Sequence, residues 1–239
     1  MTYLPKACRL ALATTLLSSA AHAVIVVDSF ETNHSALTLT FPPAGTSASS
    51  SASGAGILGG ERDVRVSLDS GVIAGNNIST TVSSGFFSYS QDATITGRSE
   101  IQWDGADSSS TLNPTGLGGI DLTDGGVLSQ FLLTVLFDDL PASGQILVYS
   151  DAGNASLLDF NLGGLIFSTT SFEFNFSSFT PSLGAGADFT NVGAIVLSIG
   201  SSFTAPDIVI DSFTVVPEAG SASLIGLGAL AMVARRTRR

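Results

Sequence analysis

Cysteine is almost missing from this chain of 239 residues, which holds one, Cys8, beside two histidines and one tryptophan. Lysine and arginine are equally scarce: nine of them face twenty Asp and Glu, for a formal charge of −11. Each shortage closes off a class of chemistry. A polyanion such as DNA needs clustered Lys and Arg, so no nucleic-acid partner is expected. Zinc of the usual kind needs His and Cys clusters, and none exists. A Ser-His-Asp set needs an imidazole base, and the body of the chain offers only His34, in Glu31-Thr-Asn-His34, with no Gly-x-Ser-x-Gly elbow. His34 reads as a residue of a solvated turn. Gly54-Ala-Gly56-Ile-Leu-Gly59 matches a phosphate-loop spacing, but it follows a serine-rich tract and opens no helix, so it reads as composition. The acid pairs Asp104/Asp107 and Asp138/Asp139 stand in loop-like contexts and read as chance adjacency in an acidic chain. No catalytic residue is assigned.

Apolar character is concentrated at the ends, which explains a mean hydropathy of +0.41. The first residues run through Lys6 and Arg9, then an apolar stretch from Leu10 to Leu17, then Ala21-His22-Ala23. A basic start, a short apolar core and an A-x-A site make a secretory signal peptide, with export by the Sec translocon and cleavage after Ala23. Cleavage removes Cys8, so disulfides cannot hold the exported part together. At the other end Val216-Pro217-Glu218-Ala219 precedes an apolar stretch, Gly220 to Ala234, and then Arg235-Arg236-Thr237-Arg238-Arg239. As a helix rising ~1.5 Å per residue, that stretch covers only about 22 Å. The terminal arginines favour the cytoplasmic side, which makes the segment a weak membrane stop with the domain outside.

Tripeptide, short Gly/Ala/Leu helix and arginine cluster together resemble the PEP-CTERM sorting signal of Gram-negative bacteria. The resemblance covers the last two dozen residues or so, and it departs from the usual pattern in carrying Ala219 where a second proline stands. It implies an exosortase partner acting near Pro217-Glu218, with Arg235, Arg236, Arg238 and Arg239 as the retaining cluster. It also implies a transient inner-membrane anchor, then display or release at the cell surface, beside exopolysaccharide or biofilm machinery. Two internal strings, Gly59-Gly-Glu-Arg-Asp-Val64 and Gly118-Gly-Ile-Asp-Leu-Thr123, are similar to strings in other such proteins.

The division is therefore a signal peptide over 1–23, one exported domain over 24–216 and a sorting signal over 217–239. Between Val24 and Val216 only Arg62, Arg65 and Arg98 are basic against nineteen acids, a net charge of −16. Such a charge keeps an exported domain soluble and attracts divalent cations. Helical periodicity is scarce. Val64, Val66 and Leu68 alternate with polar residues, as do Phe131, Leu133, Val135 and Phe137, and Phe172, Phe174 and Phe176. Ile195, Leu197 and Ile199 form another face, and Val209, Phe213 and Val215 a last one. Short alternating runs between Gly, Ser, Asn and Asp predict an all-β chain, a single β-sandwich of jelly-roll type. The Ser/Ala/Gly tract from Thr46 to Gly56 reads as a flexible loop.

Two binding features follow. Asp211 falls at the period-2 position shared with Val209, Phe213 and Val215, and a core-facing carboxylate is costly unless something pairs with it. Asp28-Ser-Phe-Glu31 places acids at the opposite end of the chain, and first and last strands often adjoin in jelly rolls. The pattern is similar to carbohydrate-binding β-sandwiches with a structural calcium, which makes Glu31 and Asp211 candidate Ca²⁺ ligands. Trp103, in Ile101-Gln-Trp103-Asp104-Gly105, ends an apolar strand, so core packing is its expected role, with a platform for a sugar ring as the alternative. The expected function is a non-enzymatic surface or matrix component; the alternative is a module that binds extracellular polysaccharide.

Overall fold

A computed structural model describes residues 24–201 and 205–218. The signal peptide with Ala21 and Ala23, the apolar stretch from Gly220 and the four terminal arginines lie outside the described residues. Among the described residues no helix is long and apolar enough to cross a membrane.

Among the described residues fourteen strands follow one another, with two short 3₁₀ turns, Leu58–Gly60 and Phe176–Ser178. They are β1 (Ile25–Asp28), β2 (His34–Thr40), β3 (Thr46–Ser53), β4 (Glu61–Gly71), β5 (Asn77–Ser83), β6 (Phe86–Gln91) and β7 (Ile95–Trp103). After a long connection come β8 (Gln130–Asp138), β9 (Ala142–Asp151), β10 (Asn154–Leu162), β11 (Thr170–Asn175), β12 (Thr180–Leu183), β13 (Ala194–Ser201) and β14 (Asp207–Val216). One sheet has the order β11-β8-β14-β6-β5-β2, with β1 also paired to β14; the other runs β12-β10-β9-β13-β7-β4-β3. Every pairing is antiparallel, so the chain is an all-β sandwich of two seven-stranded sheets.

Alternation sets which face each strand buries. Val64, Val66 and Leu68 of β4, Ile101 and Trp103 of β7, and Ile195, Leu197 and Ile199 of β13 point inward from the second sheet. Phe131, Leu133 and Val135 of β8 and Phe213 and Val215 of β14 meet them from the first. Aromatic rings knit the layers: Trp103 packs on Phe213 at 5.5 Å and Phe160 meets Phe174 at 4.7 Å, while Phe131 stacks on Phe213 at 5.0 Å within the first sheet. Gly144 is glycine for a packing reason, since a Cβ there would run into the Phe160 ring.

Three sequence expectations need correction here. The tract from Thr46 is no loop: β3 pairs with β4 from Thr46↔Leu68 to Ser53↔Glu61 as an edge strand. An edge strand needs backbone partners on one side only, and small side chains serve it. His34 is not in a solvated turn. It opens β2 at 5% exposure, and its Nε2 meets Ser50 Oγ at 2.6 Å, joining the edge strands of the two sheets. Asp211 does not face the core. The register of β14 slips between Ile210 and Ser212, a bulge that switches the inward set from Ile208 and Ile210 to Phe213 and Val215. Val209 and Asp211 consequently lie half-buried on the other side. The expected adjacency of first and last strands is present, with Ile25 opposite Val215.

Candidate functional site

One cluster of polar side chains between the sheets centres on Asp28. Arg62, in the inward set of β4, donates from Nη1 to Asp28 Oδ1 and Oδ2 at 3.1 and 3.0 Å, and from Nη2 to the Thr32 carbonyl at 2.6 Å. Trp103 Nε1–H donates to Asp28 Oδ2 at 2.9 Å, and the Phe30 N–H to Oδ1 at 2.8 Å. Asp28, Phe30, Arg62 and Trp103 are all fully buried, and the guanidinium lies 5.6 Å from the centre of the Phe30 ring. Burial pushes the Asp28 carboxyl up, against the pull of the Arg62 charge and the N–H donors. Three donor nitrogens make four hydrogen bonds to one carboxylate, matching its acceptor capacity, so the geometry is that of an ion pair.

Trp103 is therefore not a sugar platform. It shares the inward face of β7 with Ile101, and its indole fills the core between the sheets. The candidate calcium ligands also come out differently. Glu31 is exposed and its carboxylate sits beside Gly85, whereas Asp211 accepts from the Ser212 hydroxyl at 3.4 Å at the bulge. Among the described residues no group of three or more His, Cys, Asp or Glu side chains could hold a metal ion.

The outer face of the second sheet is where polar groups gather in reach of solvent. Register places Arg65, Glu100, Ser198, Gln145 and Asp159 in one row across β4, β7, β13, β9 and β10. The next row is Ser67, Arg98, Gly200, Ser143 and Asn161. Five strands at ~4.8 Å spacing give each row a length of about 19 Å. A groove of about 640 Å³ lies over these rows, with Asp69, Arg98, Glu100, Gln145, Asp159 and Asn161 among its lining. Neighbours hold its planar groups in place. Arg98 Nη1 bonds Asp69 Oδ2 at 3.0 Å, Gln145 Nε2 bonds Asp159 Oδ1 at 2.9 Å, and Arg65 Nε is 3.9 Å from Glu100 Oε2. Tyr149 stands half-buried on the same outer face, two positions along β9 from Leu147 and four from Gln145. Burial and the Glu100 carboxylate raise its phenol pKa.

The other half of this face is roofed. The β7–β8 connection folds back over it: Ser108 N–H donates to Glu61 Oε1 at 2.9 Å, Asn113 N–H to Asp104 Oδ2 at 2.6 Å, and Ser110 meets Ser49 at 2.8 Å. Gly116 lies so close that a Cβ would collide with the Asp104 carbonyl. Beneath this roof Glu61, Asp63, Gln102 and Asp104 are buried. Burial, with Asp104 and Glu61 nearby, raises Asp63 to about 7, and burial also raises Asp104. Elsewhere burial raises Asp138 to about 6 and lowers His34 to about 4, the latter helped by the Arg62 charge.

These shifts act on stability with opposite signs. A carboxyl whose folded pKa is raised stabilises at low pH, and that contribution is lost as pH climbs through the folded value. Asp138 loses it by about pH 6 and Asp63 by about pH 7. A histidine with a lowered pKa stabilises above its ordinary value of 6.5, and the contribution is lost as pH falls through about 4. Two acids outweigh one histidine. In chelator, the melting temperature at pH 5 should exceed that at pH 8 by on the order of 5 °C. Calorimetry of Asp63→Asn should show the slope flattened, and His34→Asn should steepen it. A melting temperature that rises from pH 5 to pH 8 would refute the assignment.

No protein-family model matches the sequence, and no curated relative matches it either. Solved structures do. The chain is similar to a family 11 carbohydrate-binding module from Clostridium thermocellum in complex with a β-1,3-1,4-mixed-linked tetrasaccharide, at 13% identity and a TM-score of 0.38, over 83% of this chain and 98% of that one. It is similar to the family 11 module of the cellulosomal cellulase Lic26A-Cel5E of the same organism, at 11% identity and 0.40, over 83% and 97%. It is also similar to TmCBM61 in complex with β-1,4-galactotriose, at 9% identity and 0.33, over 77% and 88%. All three scores lie below 0.5, and the functional reading rests on the groove itself.

None of the groove residues was a sequence candidate. Alternation in β7 did carry the signal: Arg98, Glu100 and Gln102 stand opposite Ser99, Ile101 and Trp103. What alternation lacks is which strands lie side by side.

Proposed function

We propose that this domain is a non-catalytic module that binds a neutral extracellular polysaccharide in the groove on the outer face of the second sheet. The observation that carries the reading is the pair of polar rows, in which donors and acceptors are mixed and braced across five strands. Planar carboxylate, amide and guanidinium groups in one surface suit vicinal hydroxyls, which donate and accept side by side. The net charge of −16 disfavours anionic glycans and leaves neutral ones. Groove acids engaged by Arg98, Gln145 and Arg65 are set to position hydroxyls rather than to transfer protons. Tyr149 offers an aromatic flank on the same face. Display at the cell surface belongs to the same proposal and draws on the sorting signal that residues 217–239 resemble; of these, Pro217 and Glu218 directly follow β14.

The test is a glycan array followed by calorimetry on the selected neutral polysaccharide. The double variant Arg98→Ala/Gln145→Ala should weaken binding at least about tenfold, each lost hydrogen bond to a charged or braced group costing on the order of 1–2 kcal/mol. Its melting temperature should stay within about 2 °C of the parent, because exposed pairs contribute little to stability. An array without a neutral-glycan signal, or binding untouched in the double variant, would sink the proposal.

A further inference from the structure

We propose that Asp63, Gln102 and Asp104, beneath the roof formed by residues 105–117, bind one calcium ion. Four oxygens there have no hydrogen-bond partner in the protein: both of Asp63, Oδ1 of Asp104 and Oε1 of Gln102. The three side chains are 1%, 0% and 8% exposed. They are neighbours by construction, since Asp63 and Gln102 are cross-strand partners and Asp104 follows two residues on, on the same face. The two carboxyl groups approach within hydrogen-bonding reach of each other. Every unmet atom is an acceptor, and the Ser51 hydroxyl, across the strand from Asp63, has a single proton to offer them. Buried acceptors of this number call for a cation or a proton.

Calcium fits the ligand chemistry. It is a hard ion that takes six to eight oxygens, combining carboxylates with amide and backbone carbonyl oxygens in flexible geometry. Two carboxylates balance its charge. Glu61 stands at the margin with its own oxygens engaged by Ser53 and Ser108, so it fixes the roof rather than the ion. Magnesium, which keeps most of its water and wants an octahedron, suits a roofed pocket poorly. The site is distinct from Glu31 and Asp211, and it leaves the open groove free.

Titration calorimetry of the full chain with CaCl₂ in chelator-stripped buffer at pH 8 should show one ion bound. Calcium at a hundredfold excess over Kd should raise the melting temperature by on the order of 5–10 °C. Because the ion competes with a proton, affinity should fall about tenfold between pH 8 and pH 6. Asp63→Asn and Asp104→Asn should each abolish binding, yet melt no lower than the metal-free parent, since each removes a carboxylate repulsion. Asp159→Asn, in the groove, should bind calcium as the parent does. No binding at millimolar calcium, or binding that survives both Asp63→Asn and Asp104→Asn, would overturn the proposal. So would a pH-dependent melt that calcium leaves unmoved, which would assign the pair a shared proton instead.

Discussion

Replacing Arg62 with alanine should lower stability by about 3–5 kcal/mol, because it strands a buried carboxylate. For a domain of this size, that is a fall of about 10–15 °C in melting temperature. Asp28 would keep its Trp103 and Phe30 donors but lose the only positive charge among its hydrogen-bond partners. Lysine should rescue little: it cannot hold both Asp28 oxygens and the Thr32 carbonyl from one planar group. The double change Asp28→Asn/Arg62→Met should recover part of the loss, since it removes both buried charges and keeps an amide oxygen to accept from Trp103 or Phe30. Calorimetry of the parent, Asp28→Asn, Arg62→Met and the double variant measures the coupling directly. Independent, additive losses would show that Asp28 and Arg62 do not act as a pair.

Trp103→Ala should cost a comparable 3–5 kcal/mol, from the cavity beside Phe213 and the lost Asp28 hydrogen bond. Phenylalanine there should cost less, keeping most of the volume and losing only the N–H. Binding of a neutral glycan to folded Trp103→Phe should equal that of the parent, because the indole lies on the inner face of β7 and the groove on the outer. A large drop in glycan affinity with the fold intact would contradict that placement.

The strands were readable because their alternation is written locally. Phe131, Leu133 and Val135, or Ile195, Leu197 and Ile199, announce an inward face without reference to any other segment. Asp211 shows where local reading fails. A single slip of register at the bulge moved it from the core side to the other, and nothing in Ile-Asp-Ser-Phe marks the slip. Thr46–Ser53 failed for a related reason: the composition is that of a linker, and the strand exists through its pairing with β4. His34 looked solvated because its partner, Ser50, lies in that same unrecognised strand. The groove and the roofed acids were beyond sequence reach on different grounds. Both depend on strand neighbours far apart in the chain, such as β7 between β4 and β13.

The position of β14 bears on when this domain can fold at all. The last strand sits inside its sheet, bonded to β8 on one flank and to β6 and β1 on the other. Until residue 216 is available, the first sheet is three unjoined pieces, β11-β8, β6-β5-β2 and the lone β1. Contacts between Ile25 and Val215 close a loop of nearly the whole domain, the kind of pairing that forms slowly. A chain emerging from its N-terminus thus cannot close its first sheet until its final strand is free.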